Sequence, residues 1–282
     1  MPWSFRLGDR VVDLTTRTLV MGILNRTPDS FYDQGGTFEL DALVRRAEDL
    51  AGLGADVLDV GGVKAGPGPE VTEAEELDRV VPAIEALRAR VDVPVSVDTW
   101  RATVLDEACR AGAVVGNDIS GFADPDYLRI AATHDVSVVA THIRLQPRVP
   151  DPEPEYADLV SDVRDFLVGR AAQAGAAGLA PEQIALDAGL DLGKTPAMSA
   201  HLLWASDLLA ELGYTLLLSA SNKRFLGELL GLEIDDRREA SLAAVSFGVT
   251  HGCRIVRVHD VAGTVQVCRT IEAILATEQR AS

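Results

Sequence analysis

The hydrophobic residues of this chain gather in short runs that stop on a polar side chain. Leu19–Leu24 is apolar and breaks at Asn25, Ala55–Val60 carries Asp59 and opens into Gly61-Gly62, Val93–Val97 stops at Asp98, and Ala113–Val115 leads to Asn117. The pattern returns in Val136–Ala140 before His142, Ile184–Leu186 before Asp187, Tyr214–Leu218 before Ser219, and Ile255–Val258, which holds Arg257 and precedes His259. Short, nearly continuous apolar runs are expected of strands buried on both faces of a parallel sheet. Between them, apolar residues recur at helical spacing in Leu40–Leu53, Thr72–Arg90, Arg101–Ala111, about Tyr156 to Ala174, Leu202–Leu212, Ala240–Val249 and Val265–Ala276. Thr72 followed by Glu75 has the form of a capping box. Trp3–Asp13 reads as a hairpin that turns at Gly8-Asp9.

Eight strands in about 250 residues, seven of them followed by a helical stretch, predict an α/β fold, a (β/α)8 TIM barrel, with the hairpin as an N-terminal cap. The proline-rich loop Pro147–Pro154 interrupts the composition but lies inside the pattern, so residues 1–282 read as a single barrel domain. In such a barrel the C-terminal ends of the strands converge on one mouth. Asn25, Asp59, Asp98, Asn117, His142, Asp187, Ser219, Arg257 and His259 all fall at or just past such ends, and a single strand-end Asp is usually only a turn residue. The same coincidence at eight strand ends points to a shared site.

That mouth has a recognisable chemistry. Asp98, Asn117 and Asp187 offer acceptors, and a carboxylate accepts two parallel N–H bonds well, which suits a planar heterocycle with an amidine-like edge. Lys223 adds a cation after the seventh strand. Arg257 and His259 alternate with Val258 and so share a side of the eighth strand. An arginine there stacks on a flat ring and grips phosphate, and together with Asn25 it outlines a pyrophosphate site. The loop after the first strand, Asn25 to Gly36, carries Phe31-Tyr32 and Asp33 and reads as a lid.

Charge narrows the ligand class. A formal net charge of −17 argues against general binding to nucleic acid or an acidic membrane, so an anionic ligand needs local cations or a metal. No apolar run approaches the roughly 20 residues of a membrane helix. Cys109, Cys253 and Cys268 fit no ligand spacing and read as buried free thiols.

The segments Val20–Gly36, Gly54–Gly62, Ser96–Thr99, Gly116–Ser120, Ser221-Asn222-Lys223 and Arg257–Val261 resemble those of dihydropteroate synthases, in order and over nearly the whole chain. The resemblance implies a transferase of folate biosynthesis that joins 6-hydroxymethyl-7,8-dihydropterin pyrophosphate to an amine acceptor, p-aminobenzoate, with Mg2+. It implies a homodimer, and the free thiols with no membrane-length apolar run read as a cytoplasmic protein. Asp98, Asn117, Asp187, Lys223 and Arg257 match the family's pterin-binding positions, of which Asp98, Lys223 and Arg257 carry the catalytic burden. Asn25, Arg257 and His259 match the pyrophosphate ligands, with Asn25 beside the metal, and Phe31 and Asp33 match the lid loop.

The acceptor side departs from the family. Its second loop, G-G-E-S-T-R-P-G, is here Gly61-Gly62-Val63-Lys64-Ala65-Gly66-Pro67-Gly68, so Lys64, Ala65 and Gly66 replace Ser, Thr and Arg. Its sixth-strand loop, D-P-G-I-G-F-G-K, has Asp191 and Leu192 in place of the small and aromatic residues, and its S-R-K has become Ser221-Asn222-Lys223. Clustered changes on one side imply a changed acceptor and low activity with p-aminobenzoate. Two alternatives stand beside that reading: a non-catalytic protein that binds or senses pterin, and another pterin-barrel enzyme such as a methyltetrahydrofolate methyltransferase. The phosphate-side set Asn25, Arg257 and His259 argues against the latter, because a methyl donor has no pyrophosphate to hold.

Overall fold

The computed structural model describes residues 3–27 and 39–279. Eight parallel strands close into a barrel in the order β10-β3-β4-β5-β6-β7-β8-β9: β3 (Leu19–Asn25), β4 (Val57–Gly61), β5 (Val95–Asp98), β6 (Val115–Asp118), β7 (Ser137–Thr141), β8 (Ile184–Asp187), β9 (Thr215–Leu218) and β10 (Cys253–Val258). A separate antiparallel pair, β1 (Ser4–Leu7) and β2 (Arg10–Asp13), precedes them. This is the (β/α)8 barrel with an N-terminal hairpin that the pattern predicts.

Side-chain alternation divides the core in two. Leu19, Met21, Val57, Val115, Val139, Ala185, Leu217 and Ile255 fill the lower barrel together with Phe5, Leu7 and Leu14 from the hairpin side. The hairpin is therefore an apolar plug, fastened by Ser137 Oγ donating to Arg6 O (2.6 Å) and Thr215 Oγ1 donating to Ser4 O (3.0 Å). Residues of the other parity, such as Val20, Leu24, Leu58 and Val97, pack outward against the helices. Burial of both faces is why the strands read as continuous apolar runs. At Gly22 a Cβ would come within 3.2 Å of both Leu50 and Val261, so two helices press close on the strand there.

The helices are α1 (Leu40–Gly52), α2 (Glu73–Arg88), α3 (Ala102–Ala111), α4 (Tyr127–Thr133), α5 (Leu159–Ala176), α6 (Pro196–Trp204), α7 (Ser206–Ala210), α8 (Arg224–Leu230), α9 (Arg238–Thr250) and α10 (Val261–Gln279). The capping box of α2 forms as predicted: Glu75 N donates to Thr72 Oγ1, and Thr72 N donates to Glu75 Oε2 at 2.7 Å. Three helical expectations need correction. The sequence pattern shows neither α4 nor α8, because seven residues hold too few turns for a period to register. The helix expected over Leu202–Leu212 is two helices that part at Ala205. The first begins earlier, at Thr195-Pro196, where Met198 N donates to the Thr195 hydroxyl and proline occupies the first helical position. The fourth barrel strand runs later than Ala113–Val115, because Asn117 and Asp118 belong to it rather than to a turn. Cys253 and Cys268 are buried free thiols, whereas Cys109 is half-buried.

Candidate active site

The barrel register sets the polar groups in a staggered ring. Asn25 pairs with Gly61, Gly61 with Asp98, and Asp98 with Asn117, while Thr141 pairs with Asp187. These residues share the inward parity of the apolar plug but lie one or two layers above it.

At the centre stands Arg257. Its Nε donates to Asp59 Oδ2 at 2.6 Å and its Nη2 to Asp98 Oδ2 at 2.7 Å. Asn117 Nδ2 donates to the same Asp59 oxygen at 3.1 Å, while Asp59 Oδ1 is buried without a hydrogen-bond partner. Burial pulls the Arg257 guanidinium down, but Asp59 and Asp98 more than offset it, and the group is held above its ordinary range. Burial pushes the Asp98 carboxyl up to about 7 against the opposing pull of Arg257. The sequence placed Asp59 at a strand end but not among the assigned site residues. Here it is the anchor that aims both Arg257 and Asn117, a role that strand position alone does not reveal.

Asp187 closes the ring. Burial raises its pKa, while the Gly189 N–H (2.8 Å from Oδ1) and the charges of Lys223, Lys194 and Arg257 act the other way. Lys223 Nζ donates to Leu190 O at 2.8 Å, which holds the loop after β8 against the loop after β9. His259 lies slightly apart: its backbone N and its Nδ1 meet Ser221 Oγ at 3.2 and 3.0 Å, and it borders a cavity of about 580 Å3 shared with Arg46 and Arg238. Phe31 and Asp33, the expected lid residues, lie outside the described residues.

One expected member does not face the mouth. Thr141 takes the inward position at the end of β7, so His142, the next residue, turns outward and packs edge-on against Phe166 of α5. There its Nδ1 lies 2.8 Å from Lys194 Nζ. Lys194 is buried and also donates to Gly189 O (2.9 Å) and Leu192 O (3.0 Å). Burial lowers Lys194 to about 7, and burial with the neighbouring Lys194 lowers His142 to about 3. The pair ties the loop after β8 to β7. Gly189 is required in that loop, since a Cβ there would sit 1.9 Å from His142 O.

The altered residues surround a cavity of about 300 Å3 between the loop after β4, the proline-rich loop and the loop after β8. Ala65, Gly66, Leu192 and Lys194 line it, together with Arg148 and Arg224. Lys64 borders an adjoining cavity of about 250 Å3 with Thr27, Arg79 and Arg148. Asp191, which puts a negative charge in this loop, has a structural duty. Its Oδ2 accepts from Phe225 N at 3.2 Å, at the start of α8, and its Oδ1 from Ser199 Oγ at 3.3 Å. Asn222 is likewise tied away from the mouth, its amide oxygen accepting from Ser241 Oγ and its carbonyl from Arg237.

Residues 21–259 match the pterin binding enzyme family. The chain is 41% identical to the dihydropteroate synthase of Bacillus subtilis, over 92% of this chain and 89% of that protein. It is 42% identical to the inactive dihydropteroate synthase 2 of Mycobacterium tuberculosis, over 92% of this chain and 83% of that one. The solved dihydropteroate synthase of Yersinia pestis in a sulfonamide drug complex superposes with a TM-score of 0.92 at 38% identity, covering 97% of this chain and 99% of that one. That of Xanthomonas albilineans with 4-aminobenzoic acid superposes at 0.89 and 38% identity, covering 98% and 99%. The strand-end ring and these likenesses agree: the chain belongs to the dihydropteroate synthase family of pterin-binding enzymes.

Proposed function

We propose that the protein transfers the pterin methylene group of 6-hydroxymethyl-7,8-dihydropterin pyrophosphate to an amine other than p-aminobenzoate. The observation that carries this is an asymmetry. The ring of Asp59, Asp98, Asn117, Asp187 and Arg257 is complete, and all but Asp187 are hydrogen-bonded to one another, while Ala65, Gly66 and Leu192 leave the acceptor side without its usual polar and aromatic groups. Identity does not separate the readings, because a relative named inactive and one named synthase score alike, at 42% and 41%.

In this reading Asp187 and Asn117 hydrogen-bond the pterin's N–H edge, Lys223 and Asp98 fix its other polar atoms, and Arg257 offers its guanidinium face to the ring. The methylene C–O bond breaks, and its electron pair leaves with pyrophosphate, whose charge Asn25, Arg257 and His259 offset. The amine lone pair then forms the new C–N bond, and the displaced amine proton passes to solvent. The donor chemistry suits Mg2+: Asn25 Oδ1 lies 3.5 Å from where a Cβ on Gly61 would sit, and a hard cation would take such an oxygen ligand. Asn25 would hold the ion, which when bound neutralises pyrophosphate charge. Calorimetry with the pterin pyrophosphate should show markedly tighter binding with Mg2+ than without it, and equal affinity would remove the metal from this account.

Pyrophosphate release, measured with and without p-aminobenzoate, tests the function. Release that p-aminobenzoate does not stimulate supports a changed acceptor, and no release at all supports a pterin-binding protein without catalysis. A kcat/KM for p-aminobenzoate at or above about 10⁴ M⁻¹s⁻¹ would place it among ordinary enzymes and remove the changed acceptor. The exposed Trp204, Leu208, Leu229, Leu230 and Phe247 of the adjoining helices α6 to α9 fit a homodimer face, which light scattering on Trp204→Glu would test.

A further inference from the structure

We infer that Arg148, in the proline-rich loop, binds an oxyanion of the reacting pair and takes the place of the cation that the loop after β4 lacks at Gly66. The inference rests on the proposed function. Arg148 lines both the 300 Å3 cavity beside Leu192 and the 250 Å3 cavity beside Thr27 and Lys64. Its backbone N donates to Ala65 O at 3.1 Å, its Nη1 to Lys64 O at 3.4 Å and its Nη2 to Pro69 O. The proline-rich loop thus delivers a guanidinium onto the very segment that has lost its own.

No described residue is a direct counter-ion to Arg148, although Glu70 and Glu75 line the smaller cavity and Asp151 and Asp191 the larger. Among the described residues no carboxylate lies within ion-pair distance of Arg148, whereas Arg144 pairs with Asp151 and Arg224 with Glu228 at 3.1 Å. Carbonyls orient Arg148 without cancelling its charge, and an arginine fork left with unused N–H groups matches carboxylate or phosphate. The backbone at Arg148 has a φ of 67°, a left-handed conformation that side chains other than Gly and Asn seldom adopt. Glycine would hold that turn without strain, so keeping arginine there favours a use for the side chain. Gly66, by contrast, is exposed, and a Cβ added to it would meet nothing within 4 Å.

The oxyanion is either a carboxylate on the acceptor or the pyrophosphate of the donor, and two ligand pairs distinguish them. With Mg2+ present, the protein and Arg148→Ala are titrated with the pterin pyrophosphate and with the corresponding alcohol. With the alcohol and pyrophosphate bound, both are titrated with 4-aminobenzoate and with 4-aminobenzamide. Arg148→Ala should lose about tenfold or more of the preference for the charged member of one pair, and that pair identifies the source. Adding Gly66→Arg to Arg148→Ala should restore the preference. Unchanged preferences in both pairs overturn the inference. So does an equal loss for charged and neutral ligands, or a loss that Gly66→Arg does not restore, since either assigns Arg148 to loop packing. A wild-type protein that binds neither pterin ligand instead overturns the proposed function.

Discussion

The two halves of the mouth are built differently. On the proposed pterin side Lys223 alone rides on a loop: Asp59, Asp98, Asn117, Asp187 and Arg257 all lie within the last three residues of their strands, and three hydrogen bonds tie all of these but Asp187 to one another. On the acceptor side the groups ride on loops, and backbone carbonyls hold those loops to one another, as Arg148 and Lys194 show. A change on a strand must preserve register, packing and a buried charge balance. A change at an exposed loop position such as Gly66 touches none of these. This is the physical reason one half can depart from its family while the other stays whole.

The largest effect should come from breaking the strand-borne half at its centre. Removing Arg257 leaves Asp59 wholly buried with neither oxygen paired to a cation. Arg257→Met should therefore lose about 3–5 kcal/mol of stability in urea denaturation. Adding Asp59→Asn should recover much of that loss. A loss below about 1 kcal/mol for Arg257→Met would show that the network does not support the barrel.

Asp187 separates binding from stability more cleanly, since its carboxylate accepts a backbone N–H and no arginine hydrogen bond. Asp187→Ala should weaken pterin binding ten- to a hundredfold, or about 1.5–3 kcal/mol. Unchanged affinity in a well-folded variant would remove the pterin assignment from the ring.

The loop-borne half should accept repair. Ala65 and Gly66 are at least partly exposed, and Gly66 has open space beside it. Ala65→Thr with Gly66→Arg should raise kcat/KM for p-aminobenzoate about tenfold while changing stability by less than about 1 kcal/mol. A repair that leaves the rate unchanged would move the acceptor defect to Leu192.

The contrast also governs what could be read from sequence. Strand-borne groups announce themselves because an apolar run ends on them, and Asn25, Asp98, Asn117 and Asp187 are found that way. Parity is harder: whether Thr141 or His142 faces the mouth depends on register with β8, which no local pattern carries. The loop-borne contacts were hidden for a different reason. Arg148 holds a φ of 67°, which no local pattern predicts for an arginine, and its partners Lys64 and Pro69 lie far away in the sequence, as do Phe225 for Asp191 and Ser241 for Asn222.

Asp191 gives the smallest and most discriminating test. A free carboxylate in this loop would repel an acidic acceptor. That of Asp191 in fact accepts from the Phe225 N–H and the Ser199 hydroxyl, which turns it toward the N-terminus of α8, where negative charge is favourable. Asn is nearly the same size, tolerates a left-handed φ, and keeps an oxygen for Phe225, so Asp191→Asn removes the charge and little else. If the carboxylate serves the helix, stability should fall by about 0.3–1 kcal/mol and affinity for 4-aminobenzoate should change by less than about threefold. A tenfold gain in that affinity would show that Asp191 acts on the acceptor after all, and the loop-borne half would then owe its departure to repulsion as well as to missing partners.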